Sequence, residues 1–238
     1  MGKTWSIPED APLPLRKRKS RHVMPLLAIL REQKTMRMKG GIYHKTQIEL
    51  TYNSNHIEGS RLSHEQTQYI FETNTIGVTA DAIRVDDILE AVNHFRCIDW
   101  IIDSVEERLT EQYIKGLHSM LKTGTSDSQK DWFMVGEYKR LPNEVGGNDT
   151  SSPEDVHKEM VALLKEYNHL KTKTLDDIID FHVRFERIHP FQDGNGRVGR
   201  LLMFKECLAN HIVPFIITDA LKMFYYRGLQ EWGHINGY

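Results

Sequence analysis

A mainly α, single-domain helical bundle with one small β-hairpin is what the 238-residue sequence predicts, and three observations predict it. Apolar residues recur at three- and four-residue spacing through most of the chain. Glycines and prolines punctuate that rhythm at intervals suited to helices of ordinary length. The rhythm fails only between about residues 125 and 150. No repeat period and no low-complexity tract is visible. A chain of this length can form one large domain or two small ones, and the continuity of the helical pattern favours one.

Residues 1–20 carry Pro8, Pro12 and Pro14 and lead into the basic run RKRKSR, so they read as a solvated arm, with a nuclear-localisation signal as the alternative for the run. Helices follow over 21–80. RHVMPLLAILREQKTMRMKGG stops at a glycine pair, and IYHKTQIELTYNSNHIEG stops at Gly59. LSHEQTQYIFET opens with Ser63 and has Gln66 three residues later, a capping box in which each side chain meets an otherwise orphan backbone donor.

From residue 81 to 238 a larger helical unit is expected. VDDILEAVNHFRCIDWIIDSV places Ile88, Val92, Phe95 and Ile98 on one face, and LTEQYIKGLHSMLKTG ends at Gly124 as its C-cap. In DWFMVGEYKRLPNEVGGND, the residues Trp132, Phe133, Val135 and Tyr138 give a short β-like run before Pro142 and the pair Gly146–Gly147. That reads as a hairpin or flap near 132–148. Helices resume with Ser152 as N-cap and Pro153 at the first helical position. Next come TLDDIIDFHVRFERIHPF, with Phe181, Phe185 and Ile188 on one face, RVGRLLMFKECLANH and TDALKMFYYRGLQEW.

With 31 basic and 33 acidic residues the formal net charge is −2, and the charges are interspersed. No electrostatic footprint points to nucleic acid or to an anionic membrane, so a small-molecule or protein partner is expected. The N-terminus has no continuous apolar core of a signal peptide, and no run approaches the roughly 20 apolar residues of a membrane span. Cys97 and Cys207, the two cysteines, fall inside apolar helical patterns without metal-ligand spacing. They suit a reducing, cytoplasmic location.

The fragment GNGRVG, Gly194 to Gly199, matches the G-x-G-x-x-G fingerprint of dinucleotide-binding folds, and Asp219 lies where the ribose-binding carboxylate would be. The flanks exclude that reading. The glycines follow a helical pattern ended by Pro190, where a dinucleotide fold requires a buried strand, and IVPFIITD is too short and its Pro214 too central for the second strand. A P-loop lacks its Gly-Lys-Ser/Thr, and an EF-hand beginning at Asp193 would need a carboxylate where Phe204 stands.

What remains is helix, tight loop, helix. Gly194 and Gly196 let the backbone approach a ligand closely, and the loop presents successive N–H groups at the next helix N-terminus, an anion hole. Arg197 and Arg200 sit in the first turn, where a cation opposes the helix dipole unless an anion is present. Together they point to a polyphosphate. Asp193 is a hard oxygen ligand of the kind through which Mg²⁺ bridges nucleotide phosphates. His189, across the same loop, is a titratable base.

HPFQDGNGRVGR matches the signature His-x-Phe-x-Asp/Glu-Gly-Asn-Gly-Arg-x-x-Arg at all eight specified positions, and the chain resembles the Fic (Fido) family of protein adenylyltransferases, of the type with an N-terminal inhibitory helix. The helical layout from about Val85 to Trp232 with its interrupting hairpin is similar to the family's core. The resemblance implies a Fic-type fold and AMP transfer from ATP to a Ser, Thr or Tyr hydroxyl of a target protein and of the enzyme itself. His189 would be the general base. Asp193 would hold Mg²⁺, with Mn²⁺ as an alternative, and Gly194, Asn195, Gly196, Arg197 and Arg200 would hold the phosphates. Phe191 would anchor the loop. A flap resembling Gly136, Glu137, Tyr138, Lys139 and Arg140 pairs with the target backbone in this family. Tyr225 and Tyr226 resemble the aromatic positions beside the adenine, with ordinary helix packing as the competing account. Where relatives often have an asparagine that reaches the base, this chain has Trp232–Gly233, which leaves adenine selectivity open.

A second motif, SNHIEG, matches the family's inhibitory pattern Ser/Thr-x-x-x-Glu-Gly/Asn through Ser54, Glu58 and Gly59. A carboxylate at a helix C-terminus is disfavoured by the dipole unless a cation receives it, and Arg200 is the implied cation. The resemblance thus implies an enzyme restrained by its own N-terminal helix. Removal of AMP with Glu58 positioning water, a different nucleotide donor, and a nucleotide-gated binding module without chemistry stay open as alternatives. So does assembly into a homo-oligomer. The target protein is not legible.

Overall fold

Helix α8, Asn195–Ala209, has almost no exposed face: every residue from Asn195 to Leu208 is buried except Gly196. It is the axis of the bundle, which is why its sequence lacks the polar stripe of a surface helix. In the computed structural model, which describes residues 25–77 and 82–233, four helices pack around it: α2 (Ile42–Ile57), α4 (Val85–Asp103), α5 (Glu111–Lys122) and α7 (Leu175–Ile188). Helices α1 (Leu26–Met36) and α3 (His64–Thr73) lie against α2 and α4, α6 (Pro153–His169) lies against α7 and α5, and α9 (Lys222–Glu231) follows a 3-10 turn. The basic arm at 1–20 lies outside the described residues, as does the boundary near residue 80. Among the described residues no helix is long and apolar enough to cross a membrane.

The core is the sum of one apolar stripe from each helix. Ile98, Ile101 and Ile102 of α4, Ile114, Leu117 and Leu121 of α5, Phe181 and Phe185 of α7 and Leu201 and Phe204 of α8 are all at or near zero exposure. Cys97 and Cys207 are buried thiols within it, as their apolar surroundings predict. Burial pushes the Cys97 thiol up to about 12, so it stays protonated and unreactive.

Helix α2 is buried by a different logic. Gln47, Thr51, Asn53, Ser54 and Asn55 are all covered, so its contacts are partly polar: Gln47 Nε2 and Tyr43 Oη both donate to Asp99 on α4, each at 2.8 Å.

The ends of the helices follow local chemistry. Ser63 and Gln66 form the expected capping box, and Ser152 caps α6 with Pro153 in its first turn. A second capping box, Thr174 with Asp177, starts α7 and was not anticipated because aspartate replaces the usual Glu or Gln. Helix α1 closes at Arg37 in the left-handed conformation, before the glycine pair expected to stop it.

The hairpin departs from expectation in place. Residues 132–138 form turns, and strand pairing is confined to β1 (Glu144–Val145) and β2 (Asn148–Asp149), joined by Gly146 and Gly147 with φ of 58° and 79°. Positive φ at both central residues is the two-residue turn whose twist suits a hairpin, and a glycine pair adopts it without strain. The apolar run at 132–138 is instead consumed by packing, since Phe133 is buried and Tyr138 leans on the core.

Candidate active site

The loop between α7 and α8 is shaped by four side chains and one glycine. His189 ends α7 with φ 51°, left-handed backbone that turns the chain before Pro190. Phe191 is fully buried and stacks face to face on His118 of α5, ring centroids 3.9 Å apart. Asn195 folds back on the loop, its Oδ1 accepting from Phe191 N–H and its Nδ2 donating to Phe191 C=O, both at 2.7 Å. Gly194, φ 82°, then opens α8. The first bond within the helix runs from Val198 N–H to Gly194 C=O at 3.0 Å. The N–H groups of Asn195, Gly196 and Arg197 therefore have no acceptor in the helix and point out of its end, an anion-binding terminus.

His189 is a neutral base of defined tautomer. Its Nδ1 faces the Glu186 carbonyl at 3.3 Å, which can only accept, so Nδ1 carries the proton and Nε2 is left to receive one. Burial lowers its proton affinity to about 4, with the nearby Lys139 ammonium adding to the effect.

Asp193 is held by cations. Its Oδ2 accepts from Lys122 Nζ at 2.6 Å and Arg197 Nη2 at 3.1 Å. Burial would raise its proton affinity, but Arg197 and Lys122 outweigh that and hold the carboxyl well below the usual range. Lys122 is buried on α5 and also meets Glu90 at 2.7 Å and Asp127 at 3.2 Å, while Arg197 pairs with Glu90. Removing one partner of such a cluster leaves uncompensated buried charge, typically about 3–5 kcal/mol. Lys122→Met is therefore expected to lower the unfolding free energy by about that much, read in urea titrations; a loss within measurement error would show that water already neutralises the three carboxylates.

Arg200, the second arginine, faces α2. Its Nε donates to Ser54 Oγ at 3.0 Å, and Nη2 donates to Ser54 C=O at 2.8 Å and to Glu58 Oε1 at 2.7 Å. Glu58 is the C-cap of α2, with Gly59 beyond it at φ 94°. Burial alone would raise the Glu58 carboxyl, but Arg200 and then Arg197 pull it below its ordinary value. A Cβ on Gly196 would collide with Glu58 Oε1 and come within 3.0 Å of Arg200 Nη1. The glycine thus admits an anionic group to the end of α8, and here that group is the Glu58 carboxylate.

The two tyrosines of α9 are divided. Tyr225 Oη bonds His182 Nε2 at 2.8 Å, and its ring lies 5.8 Å from the Arg200 guanidinium. Tyr226 Oη reaches the Ile57 carbonyl at 3.4 Å, and Lys222 Nζ reaches the same carbonyl at 2.5 Å. One tyrosine therefore adjoins the arginine, while the other helps hold the end of α2.

The segment 136–140 runs along the loop. Lys139 N–H donates to Pro190 C=O at 2.8 Å, Leu141 N–H to Gln192 Oε1 at 3.2 Å and Asn143 Nδ2 to Phe191 C=O at 3.0 Å. Gly136 N–H donates to His118 Nδ1 at 2.9 Å, so His118 Nε2 carries the proton it gives to the Asp193 carbonyl at 3.1 Å. Glu137 and Arg140 are exposed, but the Lys139 side chain is buried among Asn143, Thr150 and the Ile188 carbonyl. Its ammonium is pushed down to about 8 by burial.

Residues 108–207 match the model of the Fic/DOC family. The matched stretch, which is similar to a Fic domain, contains the loop from His189 to Arg200. A Fic domain containing signaling protein from Bacteroides thetaiotaomicron superposes with a TM-score of 0.71 at 26% identity, over 86% of this chain and 80% of that one. Fic-1 from Caenorhabditis elegans shares the fold at a TM-score of 0.64 and 19% identity, over 86% of this chain and 62% of that one. Among curated proteins, the chain is similar to protein adenylyltransferase Fic of Nematostella vectensis, 26% identical over 77% of this chain and 42% of the relative. It is likewise similar to that of Drosophila melanogaster, 28% identical over 75% of this chain and 36% of the relative. The chain thus spans less than half the length of these curated relatives.

The loop was legible in the sequence, but its supports were not. His118 and Lys122 lie four residues apart on the face of α5 that also carries Ile114, Leu117 and Leu121, and polar residues interrupting an apolar stripe were the available signal. His182 and Glu186 on α7 repeat the pattern.

Four buried rings sharpen one expectation. Against the usual 6.5, burial lowers His94 and His182 to about 3, and His118 and His189 to about 4. The unfolded chain takes up protons below pH 6.5 and the folded chain does not, so stability present above that pH is lost on acidification. Glu186, raised by burial to about 8, works in the opposite direction, but four rings outnumber one carboxyl. Lowering the pH from 7 to 4.5 is expected to drop the thermal midpoint by about 10 °C or more. A flat profile in calorimetry would mean that the rings reach water.

Proposed function

We propose that this protein is an adenylyltransferase that moves AMP from ATP to a hydroxyl of a protein target and of itself, restrained by the Glu58–Arg200 pair. One observation carries this reading. A neutral histidine with an open Nε2, a helix terminus with three N–H groups lacking intrahelical acceptors, and two buried arginines converge on one loop. The names of the curated relatives support the reaction class.

In this reading His189 Nε2 takes the proton of the target hydroxyl. The hydroxyl oxygen bonds to the α-phosphorus, the bond to the bridging oxygen breaks, and pyrophosphate leaves. Transfer of this kind depends on positioning and charge stabilisation, which the N–H groups of Asn195, Gly196 and Arg197 would supply. Arg200 would hold the terminal phosphate once Glu58 leaves it. Segment 136–140, with Glu137 and Arg140 outward, would present a backbone edge to the target.

Among the described residues no group of three or more His, Cys, Asp or Glu is placed to hold a metal. A Mg²⁺ ion shared with nucleotide phosphates needs only one or two carboxylates and keeps several waters, and the ionised, half-exposed Asp193 fits that requirement. Bound there with ATP, Mg²⁺ would neutralise phosphate charge and orient the donor; Mn²⁺ would serve similarly.

The position of the label decides the reaction. Glu58→Gly protein incubated with ATP labelled at the α-phosphate is expected to become labelled, and with ATP labelled at the γ-phosphate it is not. Label from the γ-phosphate and none from the α-phosphate would signify phosphate transfer, and incorporation from α-labelled UTP in preference to ATP would signify a different donor. The placement of Glu58 Oε1 against Gly196, inside the anion hole, also favours a second role in removing AMP through a positioned water. Loss of AMP removal from a modified target in Glu58→Gly is its expected sign.

A further inference from the structure

Arg200 has a second acid beside it. Glu186 sits one turn below His182 on α7, and α7 and α8 approach so closely at Gly199 that a Cβ there would strike Glu186 Oε1 and His182 Nδ1. Glu186 Oε1, His182 Nδ1 and Arg200 Nη1 are each shielded from water without a hydrogen-bond partner among the described residues. The groups facing Glu186 are few. Among the described residues they are Arg200 on α8, Glu58 on α2, the His182 ring on its own helix, and Tyr225 and Tyr226 on α9, of which Tyr225 bonds His182 at 2.8 Å. Helix α6 packs on another face of α7, through Tyr167 against Phe181.

A buried guanidinium needs one negative charge nearby, and a second carboxylate in the same compartment is held in its neutral form. With Glu58 docked, Glu58 supplies that charge and Glu186 keeps its proton, its affinity raised to about 8 by burial and by Glu58 despite Arg200. When Glu58 departs, the balance reverses.

We propose that Glu186 is a reserve counter-charge for Arg200: protonated while Glu58 is docked, ionised when Glu58 has left an empty site, and protonated again when nucleotide phosphate takes the guanidinium. It is a positioning residue that keeps Arg200 paired during the interval between release and nucleotide binding. The proton passes to and from solvent, so nucleotide binding to the released protein consumes up to one proton and weakens as pH rises. The first two states depend only on the observed packing, and the third rests on the nucleotide reading given above.

Two measurements separate these parts. Glutamate labelled with ¹³C at the side-chain carboxyl, with Glu186 assigned by the signal lost in Glu186→Gln, reports its titration without nucleotide. The expected midpoint in Glu58→Gly lies at least one pH unit below that in the wild type. Equal midpoints overturn the proposal, whatever binds.

The second measurement is calorimetry of an α,β-methylene ATP analogue with Mg²⁺ at pH 8 in buffers of different ionisation heat. Glu58→Gly is expected to take up protons and to lose affinity by up to about tenfold per pH unit above the Glu186 midpoint. Glu58→Gly/Glu186→Gln is expected to take up none and to bind with a flat pH profile; equal uptake by both overturns the proposal. If the carboxyl midpoint falls but neither protein binds the analogue, the reserve role stands and the nucleotide reading fails.

Discussion

Replacing Glu58 with glycine is expected to raise AMP incorporation from labelled ATP by about 10²-fold or more over the unmodified chain. The magnitude follows from the contact that is lost. Glu58 Oε1 holds Arg200 Nη2 at 2.7 Å in a site where the arginine side chain is 3% exposed. Breaking such a pair is worth about 3–5 kcal/mol, and each 1.4 kcal/mol is about tenfold in the affinity of whatever competes for the cation. The same number sets a cost, because the variant loses the carboxylate hydrogen-bonded to Arg200 and should unfold at lower temperature. Saturating ATP with Mg²⁺ should recover that loss in the variant and have little effect on the unmodified chain, since only the variant exposes the guanidinium. A thermal shift by ATP that is equal in the two proteins, together with equal labelling, would remove Glu58 as the restraint. Glu58→Gln is the informative intermediate: it keeps size and hydrogen bonding but loses the charge, so its gain should be smaller.

Removing the ring of His189 in the Glu58→Gly background is expected to abolish that gain. A positioned general base contributes about 10² to 10⁴ in rate, and His189 is the titratable side chain that the loop leaves with an open acceptor nitrogen, Nε2. The site of substitution imposes a control. His189 has φ 51°, a conformation in which alanine is strained and asparagine is tolerated. His189→Asn should therefore melt close to the parent while losing transfer as fully as His189→Ala. Nucleotide affinity should be retained in both, because on the proposed reading the ring would serve the hydroxyl and the arginines the phosphates. The pH dependence gives a further check. With its proton affinity lowered to about 4 by burial, the base is unprotonated throughout neutral pH. Transfer by the released protein should not fall from loss of this base until the solution is well below pH 6. A fall with a midpoint near 6.5 would place the ring in water and call for a different base.

Local chemistry is the part of this protein that its sequence states openly. The capping box of Ser63 and Gln66, the Ser152–Pro153 start of α6 and the twelve-residue motif from His189 to Arg200 each act over a few residues. Their residue types and spacing carry the full signal. The helical class is legible for the same reason, because a stripe at three- and four-residue spacing needs no knowledge of its partner. The placement of the hairpin was not legible: Trp132, Phe133, Val135 and Tyr138 alternate as a strand would. Phe133 instead finds a place in the core, and the paired strands form at the glycine turn further on.

The site divides along the same line. The loop's glycines, base, carboxylate and arginines could be read in order, yet the loop does not itself determine what each charge meets. Lys122 meets Asp193 across 71 positions of chain, and Arg200 meets Ser54 across 146. Such pairings emerge only when α5 and α2 pack against α8, because a buried charge selects its partner by proximity in the folded interior and not by neighbourhood in the chain. Glu186 shows the limit most clearly. As a letter it is one more acidic residue on a helix. Its environment is created by the missing side chain of Gly199 on the facing helix and by the arginine that follows it.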